Sequence, residues 1–169
     1  MTGNTVRSEN SNMKITLLNP RLKTWSPNVY VPLGLGYIAA SLEQAGHDVE
    51  IIDLNVHRIS NNELRKRVTG AEIVGITGMI TEYRTLLGLV DVVKTANPEA
   101  RVVLGGPLAT ALPEKLLQES AADFIVLGEG EKTIVNLVSA IGQGGDISGI
   151  KGIAFRADGR INVTEPVEP

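Results

Sequence analysis

Apolar residues fall along this chain in two alternating patterns: short unbroken runs, and longer segments where they recur every three or four positions. "MKITLLNP" (residues 13–20) is a run of the first kind, closed by an Asn-Pro turn signal. "PLGLGYIAASLEQAG" opens on Pro32, carries Leu35, Ile38, Ala39 and Leu42 at helical spacing, and stops at Gly46. "DVEIIDL" (48–54) predicts a second strand, residues 61–68 a polar amphipathic helix, and "EIVGITG" (72–78) a third strand. From about residue 81 to 96, Leu86, Leu89, Val90 and Val93 share one helical face, which Asn97-Pro98 terminates. "ARVVLGG" predicts strand four and "LPEKLLQESA" a helix with Pro113 in its first turn. "DFIVLGEG" (123–130) predicts strand five, and "EKTIVNLVSAIGQGG" the helix after it.

Strands that are apolar throughout are buried on both faces, and strand–helix–strand crossovers make their neighbours parallel. Right-handed crossovers then give a doubly wound α/β sandwich, most simply a five-stranded parallel sheet of order 2-1-3-4-5, with a Rossmann half of order 3-2-1-4-5 as the alternative. The tail changes character. "IKGIAFRADGRINVT" reads as two strands about Ala157-Asp158-Gly159, a C-terminal β-hairpin adding to or flanking one sheet edge. The chain thus divides into a disordered leader (1–12), an α/β domain (13–146), a hairpin extension (147–164) and a proline-rich, acidic linker (165–169).

Composition narrows the chemistry. The 169 residues carry a net charge of −3 with no basic block, which argues against nucleic acid or an anionic membrane as the main partner. Without cysteine there is no disulfide, thiolate metal site or cysteine nucleophile, and two histidines do not make a multi-histidine metal centre. No apolar run reaches the ~20 residues of a membrane span, and the polar start lacks a signal peptide's apolar stretch. A cytoplasmic location is the default expectation.

In a doubly wound sheet a ligand lies beyond the carboxyl ends of the strands, where the winding reverses. The unusual residues gather there: "NPRLKTW" after strand one, "TGMITEY" after strand three, "GGPLAT" after strand four and "GEGE" after strand five. The opposite loops are ordinary turns. Each feature also has a plain structural reading: Gly105-Gly106-Pro107 as a tight turn, Thr77 as a cap, Glu129 and Glu131 as carboxylates favouring a helix start. His47 sits in a turn at the wrong end, and His57 reads as a surface-loop residue. "GLGYIA" lacks the third glycine of a dinucleotide fingerprint and a strand feeding it, although Asp53 could mimic a ribose ligand. There is no Gly-Lys-Ser/Thr phosphate loop and no G-x-S-x-G elbow. Where a receiver domain carries aspartates, this chain has Asn19 and Thr77. A mouth rich in glycine and small polar groups, with few titratable side chains, suits close docking of a large flat cofactor better than catalysis by the protein itself.

"PLGLGYIAASLEQAGHDVEIIDL", "VVLGGPLATALPEKLL" and "DFIVLGEGEKTIVNLV", followed by "IKGIAFRADGRINVT", together resemble the N-terminal cobalamin-binding domain of cobalamin-dependent radical-SAM proteins. That group includes the anaerobic magnesium-protoporphyrin monomethyl ester cyclase and related methyltransferases. The resemblance implies a flavodoxin-like fold with a corrin over the carboxyl ends of the strands and its dimethylbenzimidazole tail in a crevice beside strands one and three. It implicates Thr77, Gly78 and Met79 at strand three, Gly105, Gly106 and Pro107 at strand four, and Gly128, Glu129 and Gly130 at strand five. Asn19, Pro20, Arg21, Leu33 and Gly34 would border the cobalt face or the route of the tail.

The Asp-x-His-x-x-Gly loop that supplies cobalt with a histidine in methionine-synthase-type domains is missing, so the implied cobalamin is His-off. Also missing is the three-cysteine motif of a radical-SAM barrel. The [4Fe-4S] cluster and S-adenosylmethionine would therefore belong to a radical-SAM domain of the same polypeptide, for methyl transfer or radical oxidation and cyclisation. A corrin-free docking domain of the same fold is the alternative.

Overall fold

The computed structural model describes residues 12–22 and 31–167. The expected leader (through residue 11), Trp25 and the end of the expected linker (168–169) lie outside them. Five strands run parallel: β1 (Lys14–Asn19), β2 (Asp48–Asp53), β3 (Ile73–Thr77), β4 (Arg101–Gly105) and β5 (Phe124–Val126). Two more, β6 (Ile153–Ala157) and β7 (Arg160–Val163), continue the sheet antiparallel past β5. The full order is β2-β1-β3-β4-β5-β6-β7, which is the expected 2-1-3-4-5 order plus an edge hairpin. The Rossmann order is excluded because β1 pairs with both β2 and β3.

Alternation along the strands sends side chains to two cores. Leu18, Val74, Ile76, Val102 and Leu104 face α2 (Asn61–Val68), α3 (Tyr83–Ala96) and α5 (Pro113–Glu119). Ile15, Leu17, Ile73, Val103 and Val126 face α1 (Leu33–Gln44) and α6 (Glu131–Gln143). Leu42, Leu86, Leu104 and Leu137 are fully buried. Each such side chain contributes about 1.5–3 kcal/mol, against an ordering cost of similar total size.

Local signals set the ends. Pro32 precedes α1, and Gly46 takes φ 93 just beyond it. The Ser60 hydroxyl caps α2 by accepting from the Glu63 N–H at 3.2 Å. Asp158 (φ 51) and Gly159 (φ 71) make the two-residue hairpin turn, the double positive φ that Asp-Gly favours.

Three details depart from the pattern reading. Residues 80–82 form a 3₁₀ turn ahead of α3. A short helix, α4 (Gly106–Ala111), fills what read as a glycine-proline turn. β5 is only three residues long, although Leu127 N–H still donates to Gly152 O at 2.8 Å, next to its pairing with β6.

At the amino ends of the strands the loops are tied down. The Asn97 amide donates to Val68 O, Thr69 O and Ala71 O at 2.8–3.0 Å. The Asp123 carboxylate receives Lys94 Nζ at 2.7 Å, Arg101 Nη1 at 3.2 Å and Val102 N–H at 2.8 Å. His47 Nδ1 accepts from Met13 N–H at 3.3 Å, and burial lowers its pKa below 6.5 even against the opposing pull of Glu72. This end of the sheet is closed.

Candidate functional site at the carboxyl edge of the sheet

The other end is open. A cleft of about 630 Å³ lies over the carboxyl ends of β1, β3, β4 and β5 and runs inward between the sheet and helices α1 and α6. The winding reverses between β1 and β3, the point where a doubly wound sheet leaves a crevice.

The glycine pair at the end of β4 divides into two roles. Gly106 has φ 83, and a Cβ there would lie 2.6 Å from Thr77 Oγ1, 3.2 Å from Gly78 O and 3.3 Å from Gly78 N. Both the turn and the close approach of α4 to β3 therefore require glycine at this position. Leu108 N–H donates to Gly78 O at 3.0 Å, locking the two loops together. Gly105 differs: its φ of −147 suits any residue, and among the described residues nothing lies within 4 Å of where its Cβ would be. It stands on the same face of β4 as Val103, so the missing side chain leaves room toward the cleft.

Neighbouring loops are fixed in the same way. Gly128 N–H donates to Thr110 Oγ1 at 2.9 Å, joining α4 to the loop after β5. Glu82, buried on the 3₁₀ turn, accepts the Met79 N–H at 2.8 Å with Oε2, while its Oε1 has no hydrogen-bond partner among the described residues. Asp53 Oδ1 receives Asn19 Nδ2 at 3.0 Å and both the backbone and side-chain nitrogens of Asn55 at 2.9 Å. Asn55 in turn bonds Pro20 O and Leu22 N–H. Asp53 is thus engaged in anchoring the loop after β1, which removes the ground for reading it as a ribose ligand.

Of the residues singled out in the sequence, Asn19, Gly34, Thr77, Gly78, Met79, Gly105, Gly106, Pro107, Gly128, Glu129 and Gly130 all line this one cleft. Three do not. Pro20 is buried, Arg21 donates to Leu54 O at 3.3 Å, and Leu33 is exposed at the start of α1. The inner wall was not among those residues: Leu17, Leu35, Ile38, Val103 and Ile134, with Gly75 in the middle of β3. A glycine inside an apolar strand was the available signal for that wall. Glu82, whose carboxylate belongs to the rim, was also missed. Met79, Ile80, Val31 and Tyr37 leave apolar surface exposed around the mouth.

Perturbed titrating groups lie elsewhere. The Tyr83 phenol is pushed up to about 12 by burial, by its 2.7 Å hydrogen bond to Glu119, and by that carboxylate's charge. It stands between α3 and α5. Among the described residues no three His, Cys, Asp or Glu side chains gather as a metal site. No helix of the described chain is long and apolar enough to cross a membrane.

Fold and cleft together define a doubly wound α/β domain with an open, largely apolar cleft at its strand ends. Residues 24–138 match the B12 binding domain, and the chain belongs to that family. It is 32% identical over 164 residues to an uncharacterized methyltransferase of Pyrococcus horikoshii, covering 93% of this chain and 35% of that protein. It is 31% identical over 163 residues to the anaerobic magnesium-protoporphyrin IX monomethyl ester cyclase of Synechocystis sp., covering 91% and 33% respectively. The chain therefore spans about a third of the length of these relatives. Its fold superposes on the cobalamin-dependent S-adenosylmethionine radical enzyme OxsB with aqua-cobalamin and S-adenosylmethionine bound. The TM-score is 0.83 at 17% identity, over 94% of this chain and 23% of that one.

Proposed function

We propose that residues 13–146, with the hairpin extension 147–164, hold a cobalamin that has no protein histidine on cobalt and present it to a radical-SAM domain of the same polypeptide, reached through residues 165–169. The observation that carries this reading is the open face of Gly105 above a cleft of about 630 Å³, in a chain of the B12-binding family. A flat macrocycle needs a bare backbone platform, and Gly105, Gly128 and the "TGM" turn supply one. When bound, cobalamin would supply the cobalt chemistry of methyl transfer or radical oxidation and cyclisation, with the [4Fe-4S] cluster and S-adenosylmethionine held by the other domain.

This chain's own residues hold and orient. Asp53 and Asn55 fix the backbone of the loop after β1, Thr110 fixes the loop after β5, and the exposed apolar rim excludes water from the seat. The His-off assignment rests on placement. His47 is at the far end of the sheet, and His57 follows β2 on an exposed loop.

The test is to mix the purified chain with hydroxocobalamin, remove free ligand by gel filtration and record the visible spectrum. After reduction to cob(II)alamin, electron paramagnetic resonance spectra of the chain with natural and with 15N-labelled histidine should be identical. A nitrogen triplet that becomes a doublet on 15N-histidine labelling would overturn the His-off assignment. Absence of retained corrinoid would favour the alternative, a corrin-free docking domain.

A further inference from the structure

Among the described residues, Glu82 is the only charged residue that is buried, at 5% exposure. Its Oε2 accepts the Met79 N–H at 2.8 Å and so closes the 3₁₀ turn ahead of α3. That task needs one acceptor oxygen, which a glutamine supplies as well as a glutamate. The second oxygen, Oε1, is buried and accepts from no described residue. A carboxylate withdrawn from water with an unused oxygen is costly, and the turn does not account for it.

The residue belongs to the wall of the cleft, in the loop beyond β3. Nothing beside it on that wall compensates its charge. Among the described residues no lysine, arginine or histidine lines the cleft, and the other charged residues there are Glu129 and Glu131. The mouth therefore carries charge of one sign, which favours a ligand whose edge donates hydrogen bonds and disfavours one whose edge is anionic.

On the reading that the ligand is a cobalamin, we propose that Glu82 accepts a hydrogen bond from a propionamide arm of the corrin and selects against a corrinoid with a propionate in that place. The propionamides are the longer of the ring's arms, suited to reach an oxygen set back from the mouth. A primary amide brings Oε1 an N–H and no charge. The matching acid, once ionised, brings no donor and sets a second negative charge against a buried one. The two arms hardly differ in shape, so the discrimination is electrostatic. Glu82 is thus a specificity-determining residue, and the chemical class taken here is the fully amidated corrinoid.

Absorbance titrations of the chain with hydroxocobalamin and with its separately purified monocarboxylic acids, each having one propionamide hydrolysed, test this. At neutral pH at least one acid should bind about 10-fold or more weakly than hydroxocobalamin. In E82Q, checked for folding by circular dichroism, the same acid should come within about threefold of hydroxocobalamin, since glutamine keeps the bond to Met79 and offers the acid a donor. Salt at about 1 M should leave the native discrimination in place, because a buried charge is screened little and the exposed Glu129 strongly. Any loss of hydroxocobalamin binding in E82Q should be matched by cobinamide, which keeps the propionamides and lacks the nucleotide base.

Equal binding of every acid and hydroxocobalamin by the native chain overturns the inference and leaves the cobalamin reading standing. Discrimination that persists in E82Q, or that salt abolishes, overturns it too, as does a loss in E82Q that spares cobinamide. Should E82Q fail to fold, the native-chain and salt comparisons decide without it. If no corrinoid binds, the proposed function itself falls, and this inference with it.

Discussion

Consider adding carbon at each of two adjacent glycines, Gly106 and Gly105. At Gly106 the added methyl is held at φ 83, a conformation costing a non-glycine residue about 1–2 kcal/mol. It also meets Thr77 Oγ1 at 2.6 Å and Gly78 backbone at 3.2–3.3 Å, and overpacking of that kind adds about 1–3 kcal/mol because backbone cannot swing aside. G106A should therefore lose roughly 2–5 kcal/mol, which lowers Tm by about 5–15 °C for a domain of this size. At Gly105 the backbone is extended and the space is empty, so G105V should melt within about 0.5 kcal/mol of the native chain. Its side chain occupies the seat instead, and cobalamin affinity should fall about 10- to 100-fold, the equivalent of ~1–3 kcal/mol. Differential scanning calorimetry and corrinoid titration on both variants separate the two effects. The reasoning is refuted if G106A melts with the native protein, or if G105V keeps native stability and native cobalamin affinity together.

Removing the acceptor of the loop anchor should show in both readouts. D53A strands Asn19 and Asn55 and should cost about 1–3 kcal/mol in urea denaturation, with weaker corrinoid retention because the loop after β1 loses its fixed backbone. D53N keeps one acceptor oxygen and should fall between the two. His47 gives a pH dependence of defined sign: its folded pKa lies below 6.5, so the unfolded chain takes up the proton first on acidification. Stability should be undiminished above about pH 7 and decline as pH falls from 6.5 through the lowered folded pKa. Urea midpoints at pH 7.5 and 5.5 would show a smaller decline in H47Q, and an equal decline would remove His47 as its source.

The order of the sheet was legible because a buried parallel strand and an amphipathic helix leave different periods in the sequence, and this chain alternates them cleanly from Lys14 to Gln143. The Asp158-Gly159 turn was equally plain, since few other pairs accept two positive φ angles. α4 was not legible. Gly106 and Pro107 are residues of turns, and only the fixed φ of proline at the first helical turn turns them into a helix start. The mouth of the cleft could be read from its glycines and small polar residues. Its inner wall could not, because Leu17, Val103 and Ile134 look like any core residues. What distinguishes them is that they face the cleft, a property of three-dimensional neighbours and not of residue type. The two glycines at the end of β4 looked alike in the sequence and differ in the structure, one held by a contact and the other by the lack of one.

The hairpin at the sheet edge settles a question of direction. Every parallel strand of this sheet delivers the chain to the cleft side, and one antiparallel strand carries it away again. β6 and β7 add two reversals, so they cancel. Thr164 lies opposite Ile153, and Glu165 O accepts the Gly152 N–H at 2.7 Å beside the end of β5. Val167 packs against Gly152 there, near Thr133 of α6. A polypeptide continuing from that point sets out on the ligand's side of the sheet. Had the edge gained one strand instead of two, it would have set out from the closed side, with the whole thickness of the domain between it and the seat.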